Sequence, residues 1–320
     1  MNDNHFRIFF VIPPEVQLLD ITGAAHVFYE ASEYGASITA FYIGMEPAQE
    51  VKSSAGLVIS QIEYFEQFTL KREDIIFIPG MESSLFRNES FQQNSTAFYE
   101  WLKDQWLNGA RVCSVCTGAY LLGQSGILDG KSCTTHWKYI QDFKKRFPAS
   151  SVLNDRLFVK DGNIYSSAGV ASGIDLSLYL LEELYGSAFA SDIAKEIVVY
   201  LRRTEADPQL SVFLQYRNHI ENRIHVAQDF ISKHFSQQIG IEKIAEEVNM
   251  SPRNLTRLFK KTTGITIGQY VDKLRVERAV QLLSEGNKVE SVSKMCGLSS
   301  PNQLRSILKK YTGILPSNMS

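Results

Sequence analysis

Short apolar strand patterns alternate with amphipathic helical ones as far as residue 201, and from Ile224 onward only helical patterns remain. Repeated β-α-β units run strands parallel, because the chain returns across the sheet through a helix. The first part therefore reads as an α/β fold, doubly wound and flavodoxin-like, with a mostly parallel sheet. The second reads as an all-α domain. A chain of 320 residues has room for both.

The strand expectations are specific. "FRIFFVI" (6–12) is a near-continuous apolar run, as a strand buried on both faces would be. "ITAFYIG" (38–44), "DIIFIPG" (74–80), "RVCSVC" (111–116) and "KSCTT" (131–135) follow, and "RLFVKDGNIYSS" (156–167) reads as a ribbon turning at Asp161-Gly162-Asn163. Helices are expected at 22–35, from Gln92 to Asn108, directly after Cys116, and as a pair over roughly 173–201. "TEADPQ" (204–209) breaks the alternation. The expected limits are 5–202 for the α/β domain, 203–222 for a connection and 223–320 for the helical domain.

Composition bears on function by exclusion. Hydrophobic residues at 44% and charged ones at 21% suit a packed protein rather than a disordered one. No apolar run reaches membrane-spanning length, and the N-terminus passes into a strand pattern without a signal peptide, so no membrane partner and a cytoplasmic location are expected. Four cysteines (113, 116, 133 and 296) are too few for a disulfide scaffold. Cys113 and Cys116 form a CxxC, but no second pair exists and Cys113 sits inside a strand pattern, so no metal and no cofactor are expected. The net charge of −2 hides an asymmetry: residues 1–222 carry −9 and residues 223–320 carry +7. A basic helical third suits a polyanionic partner.

That third contains a repeat. "LTRLFKKTTG" (255–264) and "LRSILKKYTG" (304–313) align 49 residues apart, and "IEKIAEEVNMSPRN" (241–254) resembles "VESVSKMCGLSSPN" (289–302) with one extra turn residue. Each copy reads as a short helix, a tight turn, Ser-Pro at a helix start and a second helix, which is a helix-turn-helix. Small Ala245 and Ser293 fall where the paired helices would cross. In the first copy Leu255, Leu258 and Phe259 share one face, while Arg253, Asn254, Thr256, Arg257 and Lys260 lie outside it. The arginine fork matches the two acceptors of guanine, so this surface points to double-stranded DNA. The second copy offers Asn302, Gln303, Ser306 and Lys309.

Residues 223–320 resemble the AraC-type DNA-binding domain, in which two such motifs are joined by a long helix, here "TIGQYVDKLRVERAVQLLSEG" (266–286). The second motif departs from the family pattern: Leu298 and Leu304 stand where phenylalanine is usual, Ser306 replaces the usual arginine with Arg305 one place early, and Met319-Ser320 replaces Tyr-Arg. Residues 5–202 resemble the PfpI-like branch of the glutamine amidotransferase-like fold, through "LLDITGAAHVF", "DIIFIPG", "SVCTGAYLLGQSGILDG", "TTHW" and "SSAGVASGIDLSLYLLEELYG". Together the two parts are similar to the GlxA-type transcription regulators.

The resemblance gathers Asp20, Gly80, Cys116, Thr117 and His136 around one pocket at the C-terminal strand ends, where open parallel sheets bind ligands. Met81 and Trp137 join them as ligand-facing neighbours. Cys116 at a strand-to-helix elbow would have its thiolate favoured by the helix end, and amides after Cys116 and around Gly80 could hold an oxyanion. Asp20 could move a proton and His136 act as base. Against this, Asp20 could cap a helix beginning near Thr22, and no His-x-Glu completes a triad downstream. Thr117 stands where enzymatic relatives carry histidine, and "PGM" replaces the common "PGG". The implied function is a DNA-binding regulator whose enzyme-like domain senses a small effector such as an amino acid, betaine or related amine or carboxylate. RNA polymerase and a second copy of the chain are the other expected partners. The alternative is a cysteine-dependent enzyme of the isocyanide hydratase kind, using Cys116, Asp20 and His136, with DNA binding secondary.

Overall fold

Seven strands make the central sheet of the first unit, in the spatial order Phe158–Asp161, Ile164–Ser167, Arg111–Val115, Ile75–Ile78, Phe6–Ile12, Ile38–Gly44 and Glu63–Tyr64. The computed structural model of the chain describes residues 5–154, 156–169, 171–199, 212–217, 219–284 and 286–316. β1 (Phe6–Ile12) leads into α1 (Leu18–Glu33), then β2 (Ile38–Gly44), a hairpin of β3 (Glu50–Lys52) and β4 (Val58–Ser60), short β5 (Glu63–Tyr64) and β6 (Ile75–Ile78). After α2 (Glu89–Asn94) and α3 (Thr96–Leu107) come β7 (Arg111–Val115), α4 (Ala119–Gln124), β8 (Ser132–Cys133), α5 (Ile140–Arg146) and β9 (Ser151–Val152). β10 (Phe158–Asp161), β11 (Ile164–Ser167), α6 (Ala171–Tyr185) and α7 (Ser187–Glu196) finish the unit.

Within the central sheet all pairings are parallel except β10 with β11, whose antiparallel register closes at the Asp161–Ile164 pair. The expected strands form, since β1, β6 and β7 are apolar on both faces and each face meets its own helical layer. On one side Phe10, Phe77, Val115 and Tyr165 pack with α1 and α6 residues such as Phe28 and Leu180. On the other, Phe9, Ile76 and Val112 pack with Phe98, Leu102 and Tyr120.

Three expectations change in detail. The helix from Gln92 to Asn108 is two helices, interrupted at Ser95, where the Ser95 amide bonds Phe91 O at 3.0 Å. The "KSCTT" strand shrinks to Ser132–Cys133, because it pairs outside the main sheet with Ser151–Val152. The first helix starts at Leu18 rather than near Thr22, so Asp20 lies within its first turn and does not cap it.

The chain divides into two units, Met1–Glu205 and Ala206–Ser320. "TEADPQ" lies outside the described residues. Residues 212–217, within the expected connection, pack into the second unit: Val212 is buried among its core residues, its amide bonds Glu277 Oε2 at 2.8 Å, and Arg217 pairs with Asp229.

The second unit consists of α8 (Val212–Gln215), α9 (Asn222–His234), α10 (Ile241–Glu247), α11 (Pro252–Thr263), α12 (Ile267–Ser284), α13 (Val289–Met295) and α14 (Pro301–Thr312). Two cores share α12. Its Ile267 and Tyr270 join Leu255, Phe259 and Ala245, whereas Val276, Ala279 and Leu282 join Leu304, Leu308 and Val292. Ala245 and Ser293 are both buried, as helices crossing closely require. Each motif turns through a left-handed residue, Asn249 at φ +53 and Gly297 at φ +69. Asparagine tolerates this conformation better than most side chains.

Gly297 and Gly313 both sit at positive φ, but a Cβ on Gly297 would overlap the Ser236 carbonyl, whereas a Cβ on Gly313 meets nothing within 4 Å. Gly313→Ala should therefore cost about 1–2 kcal/mol for the backbone alone. Gly297→Ala should cost roughly 1–3 kcal/mol beyond that for the forced displacement. Equal losses in urea unfolding would mean that the Ser236 contact yields without strain.

Candidate functional site

The α/β site is built where β6, β7 and β11 end. Cys116 follows β7 at φ +58, a left-handed backbone that non-glycine residues rarely adopt. A 3-10 turn over Cys116–Gly118 then feeds α4. The elbow closes only because its neighbours lack side chains. A Cβ on Gly118 would fall onto the Ile78 carbonyl, one on Gly169 would lie 2.9 Å from Cys116 Sγ, and one on Gly80 would lie 2.8 Å from Thr117 Oγ1 and collide with Asp20. Asp20 reaches this point from α1 and accepts the Gly80 N–H at 3.0 Å.

The amides here already have partners. Besides Gly80, the Met81 N–H donates to Thr117 Oγ1 at 3.2 Å, and the Thr117 hydroxyl stands 3.2 Å from Met81 O. Gln17 N bonds Gly80 O at 2.8 Å, and Val16 bridges Met81, so the loop after β1 is tied to the same segment. The expected amides around Gly80 are therefore engaged within the protein.

Burial pushes the Cys116 thiol far above its ordinary range, and the neighbouring Asp20 carboxylate raises it further; hydrogen bonds from Thr117 oppose this less strongly. Burial and the carboxylate run against the expected favouring of thiolate by the helix end. α4 has only six residues, and desolvation plus one adjacent carboxylate outweigh its end. Asp20 and Cys116 are both buried, at 1% and 8% exposure.

His136 and Trp137 stand on the next segment. Thr135 Oγ1 donates to Cys116 O at 2.9 Å, which fixes this segment against the elbow. The His136 ring itself accepts from the Lys138 N–H at 3.3 Å and contacts Trp137 and Tyr139. Burial, with Lys138 beside it, lowers its pKa and so disfavours the charged ring. Trp137 is 52% exposed. The structure thus brings Asp20, Gly80, Met81, Cys116 and Thr117 together, with His136 one residue removed through Thr135. Sequence reasoning missed Gly169 and Ser172. Gly169 takes φ +123 against the cysteine, and Ser172 Oγ accepts the Gly169 N–H at 2.7 Å. The "AGxxSG" spacing before an apolar helical run was the available signal.

In the helical unit, α11 and α14 start alike: Ser251 and Ser300 accept the N–H groups of Asn254 and Gln303, proline follows, and each helix ends in left-handed glycine. Leu255 and Phe259, and Leu304 and Leu308, are fully buried, which fixes the opposite faces outward. Arg253, Asn254, Thr256, Arg257 and Lys260 are all exposed on α11, as are Asn302, Gln303, Ser306 and Lys309 on α14. The Thr256 hydroxyl donates to Pro252 O at 2.9 Å. Met319-Ser320 lies outside the described residues.

Among the described residues, no helix is long and apolar enough to cross a membrane, and no group of three or more His, Cys, Asp or Glu could hold a metal ion.

Comparison with known proteins follows the same two-part division. The DJ-1/PfpI family matches residues 6–183, and a helix-turn-helix domain family matches residues 244–320. The HTH-type transcriptional regulator CdhR of Pseudomonas aeruginosa is 26% identical over 92% of this chain and 85% of its own length. Isonitrile hydratase of Pseudomonas putida is 33% identical over 63% of this chain and 80% of its own. The crystal structure of a THiJ/PfpI family protein from Pseudomonas syringae superposes with a TM-score of 0.55 at 20% identity, covering 72% of this chain and 87% of that one.

The electrostatics of the elbow generate a direct test. Because the Asp20 charge disfavours the thiolate, Asp20→Asn should move the pH-rate profile of Cys116 alkylation by iodoacetamide toward lower pH, while wild type reacts slowly at neutral pH. Peptide mapping by mass spectrometry isolates Cys116 from the other thiols. A profile unmoved by the substitution, or fast neutral reaction in wild type, would contradict the assignment.

Proposed function

As the chain belongs to the DJ-1/PfpI family and carries a helix-turn-helix domain behind it, we propose that it is a transcription regulator that binds promoter DNA and senses a small effector. The observation that carries this reading is the outer face of α11. Arg253 and Arg257 stand exposed one turn apart on a helix whose other face is locked by buried Leu255 and Phe259. A rigid helix presenting two guanidinium forks is what major-groove readout requires. Likeness to CdhR over most of both chains supports the same reading. The 5–202 and 223–320 limits serve it by separating sensing from DNA contact, with residues 212–217 of the expected connection packed into the second unit.

For the α/β unit, the proposed effector site comprises Asp20, Gly80, Met81, Cys116, Thr117, His136 and Trp137. A buried thiol held toward its neutral form, Gly80 and Met81 amides already engaged and an imidazole turned to the Lys138 amide favour binding over turnover. Amines, amino acids and small carboxylates are the effector class to screen. An effector shifts DNA binding only by preferring one state of the protein over another. RNA polymerase contact, a homodimer and a cytoplasmic location belong to this proposal.

The enzyme reading keeps one specific support. The left-handed backbone at Cys116 is the strained elbow of nucleophilic enzymes, and isonitrile hydratase is similar to this unit. In that case Cys116 would attack, with Asp20 and His136 handling protons.

Replacing Arg253 or Arg257 with alanine should weaken binding to the cognate site by about 1–3 kcal/mol and weaken binding to random DNA less. Equal losses on both would leave these arginines only a positioning role. Cys116→Ser should preserve DNA binding and weaken the effector response in a promoter titration. An effector chemically consumed by wild type and untouched by the variant would establish the enzyme instead.

A further inference from the structure

The two recognition helices do not offer DNA the same chemistry. Register across the 49-residue repeat sets Asn302 against Arg253, Gln303 against Asn254, Arg305 against Thr256 and Ser306 against Arg257. One place along a helix is about 100° around it, so Arg305 does not replace Arg257; it stands on the flank of α14. There its Nη1 donates to Asn302 Oδ1 at 2.9 Å. Gln303 is also committed: its Oε1 accepts from both the Ser299 N–H and the Ser299 hydroxyl, each at 2.9 Å. Ser300 meanwhile accepts the Gln303 N–H at 3.2 Å, so Gln303 belongs to the cap that starts the helix.

An amide side chain reads adenine by using both ends at once. Its oxygen accepts from N6 while its nitrogen donates to N7. The Gln303 oxygen has two lone pairs and two donors already on it. The Asn302 oxygen holds one guanidinium bond, and an adenine amino group brought to it would add a second donor beside that fixed cation. What remains outward is mainly donors: the amide NH2 groups of Asn302 and Gln303, the other Arg305 N–H groups and the Lys309 ammonium, beside the Ser306 hydroxyl, which can donate or accept but cannot make a paired contact alone.

We propose that the second helix-turn-helix cannot make the paired N6/N7 contact by which an amide reads adenine, and meets guanine edges or phosphate oxygens instead, with Arg305 as the residue that sets this by occupying Asn302. The proposal rests on the reading of the chain as a DNA-binding regulator. It assigns the displaced arginine a role in specificity: Arg305 masks the one amide on α14 that could otherwise pair with adenine.

The test is selection of binding sites from randomised duplexes by the full chain, as wild type, Arg305→Ala and Arg305→Ala/Asn302→Ala. The first motif's segment is identified as the one whose preferences relax in Arg253→Ala, and the second lies about one helical turn, roughly 34–36 Å, away. Wild type should show no adenine preference in the second segment. Arg305→Ala should gain an adenine at one position there, enriched roughly tenfold, and the double variant should lose it. On the selected site, 7-deazaguanine or methylphosphonate in the second segment distinguishes guanine edges from phosphates; weakening by either supports acceptor recognition. Adenine selected there by wild type, no new adenine in Arg305→Ala, or indifference to both modified duplexes overturns the inference alone. Failure of wild type to enrich any sequence overturns the regulator reading and this inference with it.

Discussion

Three strand ends and two helix starts converge on Cys116, and the space between them is too small for side chains at three positions. Gly118 lets the elbow pass under the Ile78 carbonyl, Gly80 lets β6 run beside Asp20 and Thr117, and Gly169 lets the chain after β11 lie against the sulfur. The left-handed conformation at Cys116 is held by this crowding from all sides, since a lone residue would not adopt it without cost. The same closeness excludes water, and exclusion of water keeps the thiol protonated beside a buried carboxylate. Backbone geometry, packing and acid-base state at the site are thus one constraint expressed three ways.

The helical unit meets a different requirement. Two small cores, each too small to hold a domain by itself, are joined because α12 contributes Ile267 and Tyr270 to one and Val276, Ala279 and Leu282 to the other. The two motifs inherit a common scaffold of serine caps, left-handed turns and buried leucines from this arrangement. Their outer faces are then free to diverge. The first keeps two exposed arginines, whereas the second draws its polar side chains into bonds with one another and with the helix start.

Most strands and helices were legible because their patterns have physical periods. "FRIFFVI" and "DIIFIPG" have no polar face, which suits only strands covered on both sides. The Ser-Pro entries and terminal glycines announce α11 and α14 before any packing is considered. Short pieces were less legible. Nothing local to "KSCTT" says that it pairs with Ser151–Val152 rather than with the main sheet, and the interruption at Ser95 leaves the apolar spacing of Phe98 and Leu102 intact. At the site, the family resemblance pointed to Asp20, Gly80, Cys116 and Thr117, and the structure sets these four side by side. The resemblance did not show that His136 turns to the Lys138 amide, or that Gly169 closes over the thiol.

The sequence by itself determined the two-part architecture, the parallel sheet and the duplicated motif, because these follow from periodicity and turn chemistry along a local stretch. Only the tertiary structure decided protonation and hydrogen-bond commitment. Whether Cys116 is a thiolate depends on a carboxylate that arrives from a helix nearly a hundred residues earlier, and on how little water remains between them. Whether the Asn302 and Gln303 oxygens face outward depends on side chains turning back along the helix. One-dimensional spacing gives the residue types at such places, but the energy of a charge or a lone pair is set by what surrounds it in space.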